Sequence, residues 1–143
     1  MSVKDVERID EQGMKAWDKH DPDAFAELFA DKFDWNDTTM PEPIRTKEGV
    51  REYMQAWLTA FPDMRVRQTN RVTNEDSVGV EIEFTGTNKG PLNMAGREIP
   101  PTKKKVVAHG TYFARIKNGK IVEFHSHPDI AEMMMQLGLM ASV

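Results

Sequence analysis

The sequence predicts an α+β fold in which helices pack on one face of a curved, largely antiparallel sheet and a short helix closes the C-terminal end. Apolar residues recur at helical spacing up to Phe61, and from Met64 the period switches to two. Asn118-Gly119 then marks a two-residue hairpin turn between two long alternating segments.

The elements follow in order. Val3, Val6, Ile9, Gly13, Ala16 and Trp17 trace the apolar face of a helix from Ser2 to about Lys19. His20-Asp21-Pro22 breaks it, and Asp21 caps a short second helix with Pro22 in its first position. Phe25, Leu28 and Phe29 are that helix's apolar stripe. Lys32 to Asn36 reads as a short strand with Phe33 and Trp35 on one face, followed by a loop from Thr38 to Pro43. Thr46 caps a third helix with Val50, Tyr53, Met54, Trp57, Leu58 and Phe61 as its buried stripe.

Met64 to Thr73 and Ser77 to Thr87 alternate as strands around an Asn74-Glu75-Asp76 turn. Gly90 to Pro101 is a turn-rich connection. Lys103 to Lys117 and Lys120 to His127 form the hairpin arms. Pro128 to Leu137 is the closing helix, with Ile130, Met133, Met134 and Leu137 at helical spacing and Gly138 as its stop.

At 143 residues a single domain spanning 1–143 is expected. An apolar share of 39% and a charged share of 29% are ordinary for a globular chain. A net charge of -4 and one short basic run, Lys103-Lys104-Lys105, give no basis for a nucleic-acid partner. The absence of cysteine excludes disulfides, thiolate nucleophiles and Cys-bound zinc. The N-terminus is charged and lacks a signal-peptide core. No apolar run approaches the roughly 18 residues of a membrane span. A cytoplasmic protein with no membrane partner is expected.

The candidate chemistry sits at the junction of the last strand and helix. His125, His127 and Asp129 stand at alternate positions, on one face of an extended chain. Two imidazoles and a carboxylate beside apolar residues suit proton transfer. A regular hairpin pairs Ile116 with Ile121, Ala114 with Glu123 and Tyr112 with His125. Tyr112, Glu123, His125, His127 and the start of Asp129 then share one face, and Phe113, Phe124 and Ser126 the other. A bulge would exchange these assignments and bring in His109. The His-x-His pattern with a carboxylate also suits zinc or iron, but three ligands within five residues of one strand converge poorly, and no metal is expected. Glu123, near the turn, reads as a surface or ion-pair residue. Trp17, Trp35, Tyr53, Met54, Trp57 and Tyr112 are candidates for a substrate-binding wall, with Asn36 and Asn88 as polar contacts.

Several segments carry a family resemblance. Ala60-Phe61-Pro62-Asp63-Met64-Arg65-Val66 resembles the start of the first long strand in SnoaL-like polyketide cyclases. Phe84-Thr85-Gly86-Thr87-Asn88-Lys89-Gly90-Pro91 resembles their Gly-Thr-His-x-Gly segment, with Asn88 in the place of His. Pro100-Pro101-Thr102 resembles the Pro-Thr-Gly that follows, with Lys103 in the place of Gly. Arg115, Gly119, Lys120 and Ile121 resemble their hairpin. Asp129 precedes Gly138 of Gln136-Leu137-Gly138 by the family's nine residues. His125 and His127 stand where large aromatics are common, and Asn36 where a His often ends the first strand.

This resemblance, from about Asp23 to Leu139, implies the nuclear transport factor 2-like cone: a curved sheet and N-terminal helices enclosing a pocket. It implies a homodimer through the outer sheet face and cofactor-free chemistry on a small hydrophobic, cyclic or polyketide-like carbonyl substrate. It also implies that Asp129 acts as acid/base in aldol ring closure, with His127 and His125 as expected helpers. A ketosteroid isomerase-like or epoxide hydrolase-like enzyme, or a non-catalytic binding module for hydrophobic ligands, is the alternative on the same fold.

Overall fold

The computed structural model describes residues 1–94 and 96–140. Helix α1, Val3–Asp18, starts at a capping box in which the Ser2 hydroxyl accepts from the Asp5 N–H and the Asp5 carboxylate accepts from the Ser2 N–H. Helix α2, Pro22–Ala26, is capped by Asp21, with proline at its start as expected. Helix α3, Lys47–Ala60, begins at the Thr46 cap. These helices cover the concave face of a five-stranded sheet built from β1 (Phe29–Asp37), β2 (Arg65–Thr73), β3 (Ser77–Thr87), β6 (Lys105–Lys117) and β7 (Lys120–Pro128) in the order β1-β7-β6-β3-β2. β1 runs parallel to β7, so the sheet is mixed; the other pairings are antiparallel. The fold is the expected α+β cone with helices at its N-terminal side and a short C-terminal helix.

Local differences have physical causes. β1 begins three residues earlier than the alternation suggested, because Phe29 already pairs with Ile121. The turn-rich connection contains a small hairpin, β4 (Leu92–Met94) with β5 (Arg97–Ile99). The last helix, α4, is Ile130–Gln136, and Asp129 is its cap rather than a residue of its first turn.

The motif segments lock one end of the cone. The Asp63 carboxylate accepts from the Thr87 N–H at 2.8 Å, a bond that holds its pKa below the ordinary value. Asn88 is fully buried. Its amide donates to the carbonyls of Ala60 (3.2 Å) and Gly90 (2.9 Å) and accepts from the Thr102 N–H (2.8 Å) and hydroxyl (3.0 Å). Gly90 passes so close to the end of α3 that a Cβ there would lie 2.9 Å from the Thr59 carbonyl carbon and overlap its oxygen. The segments between Phe61 and Thr102 therefore bind one another.

The hairpin departs from regular register. Ile116 faces Ile121 as expected, but Arg115 faces Glu123, leaving Val122 as an extra residue in β7. Beyond this bulge Ala114 faces Phe124, Tyr112 faces Ser126, Phe113 faces His125 and Thr111 faces His127. The expected grouping of His125 and His127 with Tyr112 is thus corrected: one extra residue turns every later β7 side chain over.

Candidate functional site

The concave face and the helices enclose a cavity of about 120 Å³. Its wall is largely apolar and aromatic, and includes Trp17, Trp35, Tyr53, Trp57, Tyr112 and Phe124. The rings brace one another: Tyr112 stacks on Phe124 with centroids 5.2 Å apart, and Trp35 lies 4.4 Å from Tyr53 and 5.0 Å from Phe124. Five of the expected wall residues are therefore together. Met54 is fully buried but belongs to the core rather than the cavity wall. Asn36 is exposed and pairs with His125 across the sheet. Asn88 is committed to the loop knot described above.

Asp129 lies on the cavity wall. Its Oδ1 accepts from the Glu132 N–H at 3.0 Å. Its other oxygen has no protein partner among the described residues. Asp129 is exposed and also borders an outer groove with Thr38, Ile99, Ile130 and Met134, which places the residue at the cavity's rim, next to solvent. A strand-edge clamp holds it there. The Asp129 N–H donates to the His109 carbonyl at 2.8 Å, and Glu132 accepts from the His109 N–H at 2.7 Å. Gln136 both accepts from and donates to the Val107 backbone, at 2.7 and 2.8 Å. α4 thereby satisfies the edge of β6 where β7 has ended.

The bulge places His125 and His127 on the opposite face of the sheet from Asp129's cavity. His125 is half-buried, 3.6 Å from Glu123 and beside the Phe113 ring. Glu123 pairs with Arg115 at 3.3 Å, as an ion-pair residue should. His127 is exposed. His109 contributes to the cavity wall, but its imidazole is held by Glu132 at 3.0 Å. Among the described residues no group of three His, Asp or Glu side chains is placed to hold a metal ion.

Two buried carboxylates were not among the expected site residues. Asp37 accepts from the Tyr53 hydroxyl at 2.7 Å and from the Ser126 hydroxyl, while Trp35 donates to Ser126 at 2.7 Å. Burial and then the Asp37 charge push the Tyr53 phenol well above its ordinary pKa. The alternation Phe33, Trp35, Asp37 is the signal that points to Asp37; the same parity turns Asn36 outward. Asp10 lies in the apolar stripe of α1, in helical register with Val6, Gly13 and Trp17, and is 6% exposed. A carboxylate in such a stripe is the available signal for Asp10.

The chain belongs to the SnoaL-like domain family, whose signature matches residues 11–124. Comparison with curated proteins gives no significant match. Among solved structures, AclR of Streptomyces galilaeus, described as a proposed hydroxylase, superposes with a TM-score of 0.85 at 22% identity, covering 99% of this chain and 86% of that one. A proposed SnoaL-like polyketide cyclase from Jannaschia sp. CCS1 gives 0.84 at 16% identity, over 97% and 95% of the two chains. A protein of ketosteroid isomerase-like fold from Catenulispora acidiphila, solved with trimethylamine, gives 0.76 at 17%, over 92% and 93%. These likenesses establish the shared fold.

Proposed function

We propose that this protein is a cofactor-independent acid/base enzyme that binds a small hydrophobic cyclic carbonyl compound in the aromatic cavity and moves its proton with Asp129. The observation that carries the reading is Asp129: the residue sits at the cavity rim, its Oδ1 is held by its own helix, and its other oxygen has no protein partner among the described residues. Cavity size sets the scale of the substrate. A dry engineered cavity of about 150 Å³ takes up benzene, so about 120 Å³ matches a single ring with little to spare.

In an aldol closure Asp129 takes a proton from the carbon next to one carbonyl. That carbon then bonds to a second carbonyl carbon, and the protonated Asp129 returns the proton to the new alkoxide. The aromatic wall holds the ring flat against Asp129. Residues of the outer face have no part in this step; that face, with Phe113, Arg115, His125 and His127, is the proposed contact in a homodimer. Asp129→Asn tests the mechanism. Turnover should fall about 100-fold or more while ligand affinity holds. Retained turnover would overturn the role of Asp129, and binding without conversion in the unsubstituted protein would make it a binding module.

A further inference from the structure

The cavity has a second polar pole that the Asp129 mechanism does not use. On α1, the Asp10 side chain is only 2% exposed, and the residue forms part of the cavity wall together with Tyr112. Three groups meet its carboxylate. The Tyr112 hydroxyl donates to Oδ1. Gln68 Nε2 donates to Oδ2 at 2.6 Å, and Arg71 Nη1 lies 3.3 Å from the same oxygen. Gln68 Nε2 also donates to the Tyr112 hydroxyl at 3.1 Å.

Counting protons decides what this pole can offer. A phenol has one proton, and Tyr112 gives it to Asp10. A primary amide has two N–H groups, and Gln68 gives one to Asp10 and one to Tyr112. Nothing is left to donate into the cavity from Tyr112 or Gln68, and Arg71 does not line it. What remains is one lone pair on the Tyr112 oxygen and one on Asp10 Oδ1, since Oδ1 already accepts from Tyr112 and Oδ2 from Gln68 and Arg71. Nor is Asp10's charge matched one to one: Arg71 is shared with Glu7 at 2.8 Å and Glu11 at 3.6 Å, so three carboxylates surround one guanidinium. The pole is accepting and electronegative, set in an otherwise aromatic wall. A ligand that fills the cavity with a carbonyl or ether oxygen here would leave acceptors facing acceptors. A ligand with a hydroxyl here would satisfy them.

We propose that Tyr112 and Asp10 form a hydroxyl-reading subsite, so that the ligand of this cavity carries a phenol, enol or alcohol O–H on its ring at the α1 end. Tyr112 is the contacting acceptor. Asp10, Gln68 and Arg71 position it by fixing where its own proton points. The inference rests on the cavity being the ligand site proposed above.

The test uses two single-ring probes that differ in one donor, 4-fluorophenol and 4-fluoroanisole, titrated by ¹⁹F NMR into the full chain. The unsubstituted protein should bind the phenol about tenfold or more tightly than the ether, as expected for a buried hydrogen bond into a charge-assisted acceptor. Tyr112→Phe should bring the two affinities close together, and Asp10→Asn, a near-isosteric change that introduces donors, should do the same. A variant counts only if its amide spectrum remains dispersed. Equal affinity for the two probes in the unsubstituted protein would overturn the subsite and leave the cavity reading standing. So would an undiminished phenol preference in both folded variants. If neither probe binds, both readings fall.

Discussion

Asparagine at position 129 would still accept the Glu132 N–H and cap α4, while losing the carboxyl that carries a proton. Alanine would lose both. Asp129→Asn should therefore keep the thermal stability of the unsubstituted protein and lose turnover, whereas Asp129→Ala should also cost about 1 kcal/mol. A pair of melting curves with the matching rate measurements separates the two roles; equal stability loss in both variants would show that the charge itself supports the helix. Asp63 makes a prediction of a different kind. Its folded pKa lies below the ordinary 3.8 because the Thr87 N–H binds the carboxylate. A depressed carboxylate pKa contributes stability above 3.8 that is lost as pH falls through the folded value. The stability gap between the unsubstituted protein and Asp63→Asn should thus be present at neutral pH and close below about pH 4, as urea titrations at the two pH values would show. A gap of constant size would mean that the Thr87 bond does not depend on the charge.

At the level of elements, α4 holds the proposed acid in place through side chains that act as a substitute strand. Gln136 pairs with both backbone groups of Val107, and Glu132 with the N–H of His109. Gln136→Leu removes two hydrogen bonds from that edge and should cost about 1–2 kcal/mol. The Val107 amide should exchange with solvent much faster, while amides paired between β3 and β6 keep their protection. If Val107 exchange were unchanged, α4 would be held by the packing of Met133 and Leu137 alone. This clamp accounts for a glutamine just before Leu137-Gly138. Gly138, with φ of +74°, then ends the helix in the left-handed conformation that glycine adopts freely.

At the scale of the whole molecule the two faces of the sheet differ in character. The concave face carries the aromatic cavity, with Asp10 on its α1 side and Asp129 at its rim, and Asp37 behind Tyr53 outside the wall. The convex face carries Phe113 with Arg115 5.3 Å above its ring, together with Glu123, His125 and His127. Sedimentation at micromolar concentration should give a dimer whose association weakens when Phe113 is replaced by glutamate. A monomer across that range would remove the dimer from the proposal and leave the cavity chemistry intact. No helix among the described residues is long and apolar enough to cross a membrane.

Periodicity, caps and turn residues determined the helices, the strands from Met64 onward and the Asn118-Gly119 turn, because each rests on contacts within a few residues and on one repeating apolar face. The segments around Phe61-Pro62-Asp63 and Asn88-Lys89-Gly90 were legible for a related reason: they bind one another in the scaffold, so their pattern marks the fold rather than the substrate. The place of Asp129 and of Trp17, Trp35, Tyr53, Trp57 and Tyr112 on the cavity wall could also be reached from the sequence, by motif spacing, helical register and strand alternation. Tertiary structure alone decided which face the β7 side chains take. A single extra residue, Val122, sends His125 and His127 outward and brings Phe124 and Ser126 inward, and no local preference announces it. The partners of Asp10 were equally out of reach. Gln68, Arg71 and Tyr112 lie on β2 and β6, far along the chain from α1, and only the curvature of the sheet brings them to one carboxylate.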